Sequence, residues 1–319
     1  MARHPAFSIQ RRPYLLAVVV FAVLCVTNAI LQPSFLRPGV PVSNVAAFLP
    51  MILVAVGQTY VVLASDIDLS AGAIVSLVNV AVVSIIEGMG GSAMSVALGM
   101  ATGLALGLIC GLFNGLCVAV LRFQPIVTTF ATGIVFAGFA LWILPEAGKQ
   151  VPPAVYQAYA GAVLGVPTVI LILLGTIGFA AFVGRTPFNL ALRATGGNMQ
   201  AAYQTGVPVA QVRIGAYAIC GLFSALAGLA LVGETASGDP LIGGALTLSS
   251  VTAVVLGGTA LKGCTGGVAG SILGAFILGL INNVIFFAQL PFEWQGLIQG
   301  VIILAALAGG VLMARGRQS

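Results

Sequence analysis

The sequence predicts an all-α protein, a polytopic transmembrane helical bundle of about ten spans. Three observations predict it. Of the 319 residues, 60% are hydrophobic and 6% are charged, and mean hydropathy is +1.14. A soluble domain carries roughly a quarter charged residues, so there is too little charge here to cover a water-facing surface. The apolar runs are each near the ~20 residues that span hydrocarbon, which overrides the one or two soluble domains suggested by length. The net charge of +5 comes from 12 scattered basic residues without a cluster. That pattern fits membrane topology better than nucleic-acid binding.

Ten apolar segments follow one another at 13–31, 43–64, 69–87, 93–121, 125–144, 163–183, 209–233, 247–262, 266–290 and 294–313. The first follows Arg3, Arg11 and Arg12, a pattern shared with secretory signals. It runs on to Leu31 and the remaining chain is also membranous, so it reads as an uncleaved first span. Gly88, Gly90 and Gly91 divide the third segment from the fourth, and Pro125 opens the fifth just after Arg122. Pro145, Pro152 and Pro153 interrupt the chain after the fifth segment, and Pro240 and Pro291 mark later turns, since Gly and Pro punctuate regular structure. The longest cytoplasmic loop, 184–208, has room for two helical turns over 198–205, with Asn198 as N-cap and Gly206 as stop.

Basic residues in short loops set the orientation. With the N-terminus in the cytoplasm and ten alternating spans, Arg3, Arg11, Arg12, Arg122, Arg185, Arg193, Arg213, Lys262, Arg315 and Arg317 all fall inside. Only Arg37 and Lys149 fall outside. An odd number of spans would separate Arg315 and Arg317 from the N-terminal arginines. The expectation is an even count with both termini cytoplasmic.

The fourth segment carries Gly99, Gly103, Gly107, Gly111 and Gly115. Glycines four apart nearly align on one helix face. Small residues let backbones touch where lipid removes the hydrophobic drive between helices. The stripe calls for tight packing within the subunit or, alternatively, at a dimer face. A weak repeat is also visible, because Gly111-Leu112-Phe113-Asn114 and Gly279-Leu280-Ile281-Asn282 each precede a short break and another span. In the topology above the two copies run in opposite directions, as inverted repeats of transporters do.

The chain offers little chemistry of its own. No GxxxxGK[ST] loop, HExxH or GxSxG is present, and the sole histidine is His4, so an enzyme is not expected. Cys25, Cys110, Cys117, Cys220 and Cys264 form no CxxC pair and read as small buried side chains rather than metal or redox groups. Mid-span charges, which ion-coupled carriers keep for function, are lacking. A self-contained secondary carrier for a small polar solute remains the alternative reading.

Several motifs then carry a more specific resemblance. Asp66-Ile67-Asp68-Leu69-Ser70-Ala71-Gly72 resembles the DLS-Gly motif of bacterial ABC-importer permeases of the ribose, xylose and galactose type. Gly257-Gly258-Thr259-Ala260-Leu261-Lys262-Gly263, with Gly266, Gly267 and Gly270, resembles the second glycine-rich motif of that family. Phe113-Asn114-Gly115, Arg122 and Pro125 also fit. The loop around Arg193, Gly196, Gly197, Asn198, Ala201, Ala202 and Gly206 looks like the family's ATPase-coupling loop. The match runs from about 45 to 310.

The resemblance implies one transmembrane permease domain over 1–319, of the type II ABC-importer kind, with inverted repeats and broken helices. It also implies a bacterial inner-membrane location, a cytoplasmic ABC ATPase, a periplasmic solute-binding protein and a second permease subunit. ATP would be used by the partner, with no cofactor bound to this chain. The solute implied is a monosaccharide or a similar small polar molecule. Asp66, Asp68, Ser70, Asn79, Asn114, Gly257, Gly258, Asn282 and Asn283 are the candidate pathway residues. For Asp66 and Asp68 a plainer role stands beside this one, as acids at the positive end of a helix dipole. The chain departs from the family pattern at Asp66 and Cys264, where the family often has Gly. Met199 and Gln200 stand where it often has an acid. A less charged coupling loop suits pairing with a second, different permease.

Overall fold

The computed structural model describes residues 14–301 apart from 290, 292, 293, 295 and 299. The described chain is mostly helical. In order it forms α1 (Tyr14–Leu31), α2 (Val40–Leu63), α3 (Ala71–Gly88), α4 (Ala93–Ala119), α5 (Pro125–Ile143) and α6 (Pro153–Ala160). A two-residue hairpin, β1 (Ala162–Val163) and β2 (Val166–Pro167), leads into α7 (Thr168–Gly184), α8 (Pro187–Gly197) and α9 (Met199–Gln204). Then come α10 (Val209–Thr235), α11 (Gly244–Leu256) and α12 (Val268–Phe287).

Among the described residues, six helices are long and apolar enough to cross a bilayer, or seven if α7 and α8 are one span bent by 74°. That is fewer than the ten expected. Two of the expected segments are shorter apolar helices, α1 and α11, and the tenth, 294–313, lies largely outside the described residues. The 13 residues of α11 reach only about 20 Å at 1.5 Å per residue, short of the ~30 Å hydrocarbon core. Gly257 and the left-handed Gly258 (φ 83°) stop it before the expected edge at 262. The chain also makes two helices that its apolar runs do not signal, α6 and α8. Each opens on a proline at its first turn, where the missing N–H costs nothing.

Close backbone packing holds the bundle together. The α4 glycine stripe lies inside the subunit. Gly99 and Gly103 face Ile86, Val82 and Val78 of α3, and Gly107, Gly111 and Gly115 face Gly221, Ala225, Tyr217 and Ile214 of α10. A Cβ on Gly107 would sit 2.6 Å from the Gly221 carbonyl oxygen, and one on Gly111 would sit 3.0 Å from the Gly221 Cα. The stripe's expected alternative role at a dimer face therefore gives way to intrasubunit packing. Gly111→Ala is expected to cost about 1–3 kcal/mol through overpacking against immovable backbone, read as a lower melting temperature in detergent. Gly175→Ala, where an added Cβ meets nothing within 4 Å, should leave the melting temperature unchanged.

The packing repeats itself across the chain. α3 packs on α4 as α11 packs on α12, and α10 packs on α4 as α2 packs on α12. Within these pairs, Gly99 faces Ile86 and Gly103 faces Val82, while Gly270 faces Gly257 and Gly274 faces Ala253. One constant register relates the two sets. In that register Gly111 falls on Asn282, so the Gly-Leu-x-Asn match read from sequence is not the repeat. At one end of the bundle, Glu87 pairs with Lys149 at 2.8 Å, and Gly148 N–H donates to the Gly238 carbonyl. There too, buried Tyr159 of α6 donates its hydroxyl to the Ala46 carbonyl at 2.8 Å. Its burial, with Glu234 nearby, pushes that hydroxyl well above the usual tyrosine range and keeps it a donor. The end of α2, the start of α10, α8 and the turn after α11 gather at the opposite end.

Candidate functional site

Two helices, α3 and α11, begin beside each other, α3 from a buried turn and α11 from a partly exposed one. After α2 the chain turns at Ser65 (φ 69°) and runs back along the helix it has just left. Asp66 N–H donates to the Val61 carbonyl. With its carboxamide oriented by the surrounding network, Gln58 accepts from Asp68 N–H at 3.1 Å and donates to the Asp68 carbonyl at 3.2 Å. α3 starts from that depth. After α10 the chain turns at Ala236 (φ 56°) and runs back along α3. There Asn79 accepts from Asp239 N–H at 2.9 Å and donates to the Ser237 carbonyl at 3.4 Å. α11 starts beside the first turns of α3.

The two N-termini meet at Gly72 and Gly243, whose backbones touch. Gly72 N–H donates to Thr247 Oγ1 at 3.1 Å, and Gly243 N–H donates to Ser76 Oγ at 2.9 Å. Each half-helix thus satisfies an otherwise orphaned first-turn N–H with a hydroxyl from the other. Just before each helix an aspartate accepts from the N–H two residues on, Asp68 from Ser70 at 2.8 Å and Asp239 from Leu241 at 2.8 Å. Ser65 and Ala236, Asp68 and Asp239, Gly72 and Gly243, and Ser76 and Thr247 all fall in the register that relates the helix pairs. The junction is where the two register-related segments meet through reciprocal contacts. The positive ends of two helix dipoles converge on it, ringed by hydroxyls and flanked by two carboxylates. Such a place suits an electron-rich, hydrogen-bonding solute.

Other expected pathway residues serve the scaffold. Asp66 accepts two hydrogen bonds from Arg213, from Nε and Nη2 at 2.9 Å each, and Arg213 Nη1 donates to the Val118 carbonyl at 3.3 Å. Both side chains are buried, so the latch ties the α2–α3 connection to α4 and α10. Arg213, counted from sequence among loop cations, stands inside α10. Ser70 Oγ donates to Asp68 Oδ1 at 2.6 Å and accepts from Asn114 Nδ2 at 2.7 Å. Asn283 donates to Asn44 Oδ1 at 3.1 Å, while Asn282 is half-buried on α12. Gly257 lies against Gly270 and Ser271, and the left-handed Gly258 ends α11. Sequence reading gave no site role to Arg213, Ser76, Asp239, Gly243 or Thr247. Only the second Asp-x-x-x-Gly spacing, Asp239 to Gly243, signalled the matching turn.

At the end of the bundle that holds α8 and α9, Asn198 caps α9 by accepting from Ala201 N–H at 3.0 Å, and Gly206 (φ 85°) follows its last turn. The residues expected from sequence to couple divide by direction. Gly197, Asn198, Met199, Ala201, Tyr203 and Gly206 are exposed, with Tyr203 at 74%. Ala202 and Gly196 are buried. Arg193 turns its guanidinium inward to backbone carbonyls of the turn after α11.

Residues 41–307 match the family described as "Branched-chain amino acid transport system / permease component". The chain belongs to this permease family. The permease is also 35% identical over 293 residues to the ribose import permease protein RbsC of Bacillus subtilis (strain 168), covering 89% of this chain and 88% of that one. It is 34% identical over 272 residues to the autoinducer 2 import system permease protein LsrC of Yersinia enterocolitica, covering 84% and 72%. LsrC of Yersinia pestis (strain Pestoides F) is 35% identical over 276 residues, covering 84% and 74%. No solved structure matches. The permease is thus a multi-pass membrane protein of a transport system.

Proposed function

We propose that this chain is the membrane-spanning subunit of an ATP-driven, binding-protein-dependent importer, and that its solute is a monosaccharide or a similar small polyol. The observation that carries the solute class is similarity to a ribose import permease along nearly nine-tenths of both chains. Two such subunits, alike or different, enclose the path. A cytoplasmic ABC ATPase docks on α8 and α9, and a periplasmic binding protein delivers the solute. In this reading the chain crosses a bacterial inner membrane ten times, with both termini in the cytoplasm. The solute passes the junction of Gly72 and Gly243, where facing helix N-termini and hydroxyls exchange hydrogen bonds with sugar hydroxyls. ATP and loaded binding protein bias a two-state bundle between outward and inward access.

The test is uptake of labelled ribose by proteoliposomes holding the chain, its ATPase and its binding protein. Uptake that needs all three supports the reading. Uptake by the chain alone down an ion gradient would sink it and favour a secondary carrier. Docking has its own readout. Met199 and Tyr203 are the exposed apolar side chains of α9. Met199→Glu with Tyr203→Glu is expected to cut ATPase co-purification at least about fivefold, since charge in an apolar contact costs about 1 kcal/mol or more. Membrane insertion should be unchanged.

A further inference from the structure

We propose that Arg193 is a positioning residue that clips α8 to the glycine-rich turn 257–267, so that the two move as one body and any displacement of α8 is delivered to α11. The proposal rests on the importer reading above and adds the route by which motion at the ATPase face enters the bundle.

The clip is built from backbone. Arg193 Nη1 donates to the Cys264 carbonyl at 2.8 Å and Nη2 donates to the Gly266 carbonyl at 2.9 Å. One planar guanidinium therefore holds two carbonyls of the same turn, a geometry that a lysine ammonium cannot reproduce.

Beneath it the chains touch directly. A Cβ on Gly196 would clash with the Leu63 carbonyl and lie 3.0 Å from Cys264 N, and one on Gly263 would lie 2.8 Å from the Gly196 oxygen. Cys264 N–H donates to the Leu63 carbonyl at 3.1 Å. The last residue of α2, the end of α8 and the turn thus share one contact with no side chain between them.

The turn is held by its own hydrogen bonds and joins two helices. Gly258, Gly263, Cys264 and Gly266 all hold positive φ. Ala260 N–H donates to the Thr265 carbonyl at 3.1 Å, and Gly267 N–H donates to Thr259 Oγ1 at 3.1 Å. The turn also closes α11 at one edge and caps α12 with Gly267 at the other. α11 is one uninterrupted helix between this turn and the Gly72–Gly243 junction. Movement of α8 therefore reaches the junction through one short helix.

The structure supplies its own test. A Cβ on Gly197 would stand 3.7 Å from Cys264 Cβ, inside the roughly 3.5–4.5 Å that a disulfide requires. Gly197→Cys, in the assembled complex in proteoliposomes, is expected to cross-link to native Cys264 under mild oxidation, as identified by peptide mass. Uptake by the cross-linked complex should stay within about twofold of the reduced one, because the two parts never separate. Failure to cross-link, or uptake lost on cross-linking and regained on reduction, overturns the proposal.

A second variant reads coupling itself. Arg193→Met should assemble with the ATPase, and solute moved per ATP hydrolysed should fall about tenfold relative to the unsubstituted complex. Arg193→Lys should recover part of the loss. Full coupling in Arg193→Met, or failure to assemble, overturns the positioning role. An unsubstituted chain that supports no ATP-dependent uptake with its partners would overturn the importer reading instead.

Discussion

Arg213→Met is expected to destabilise the folded chain by about 3–5 kcal/mol, the usual cost of stranding one member of a buried ion pair. The guanidinium makes two 2.9 Å hydrogen bonds to Asp66 and a third to Val118. Its loss leaves a carboxylate buried among α2, α4 and α10 with no other ion-pair partner among the described residues. Water cannot repay that desolvation inside the bundle. The measurements are monodispersity in mild detergent and the melting temperature, both of which should fall sharply. Asp66→Leu combined with Arg213→Met should recover most of the loss, since removing both charges leaves nothing stranded. A double variant as unstable as the single one would show that the arginine matters for its packing and its contact with Val118 rather than for charge balance.

Gly72→Ala is expected to reduce uptake by about 10–100-fold, corresponding to the 1–3 kcal/mol of an overpacked contact. The new methyl group would strike the Gly243 carbonyl and the Thr247 hydroxyl, and it would lie 3.0 Å from Thr247 N. Two of these are backbone atoms, so no rotamer change relieves the clash. Gly243→Ala should behave alike, because its methyl group would meet the Gly72 carbonyl and lie 3.0 Å from Ser76 Oγ. Gly138→Ala is the control, since nothing lies within 4 Å of its added Cβ. Near-normal uptake in Gly72→Ala would show that the junction is not where the solute passes and that the two helices part easily.

The sequence makes the helices legible and leaves their meeting points dark. Apolar runs locate α2, α3, α4, α5, α10 and α12 to within a few residues, because in lipid a span must be long, apolar and internally hydrogen-bonded. The cap at Asn198 and the stop at Gly206 are equally local and equally readable. α8 escapes because it is amphipathic and short, and only Thr186-Pro187 announces it. Asp66 is harder. Its partner Arg213 is 147 residues away, and no periodicity links them. Arg193 looks like a surface cation in sequence and becomes a backbone clamp only once Cys264 and Gly266 are brought beneath it. The structural repeat is written in backbone conformation and hydroxyl placement, with Ser76 answering Thr247 and Ser65 answering Ala236, and residue identity preserves little of it.

The reciprocal bonds at the junction also bear on how the chain is made. Gly72 finds its acceptor 175 residues downstream, and Ser76 finds its donor 167 residues downstream. At about 5–20 residues per second, synthesis takes roughly 9–35 s to bring the second half-helix to the first. Through that interval α3 stands in the bilayer with its first turn unsealed, packed against α2, α4 and α5 and, later, α10. The nascent permease must be held in that unfinished state, and a chain terminated before Thr247 can never leave it.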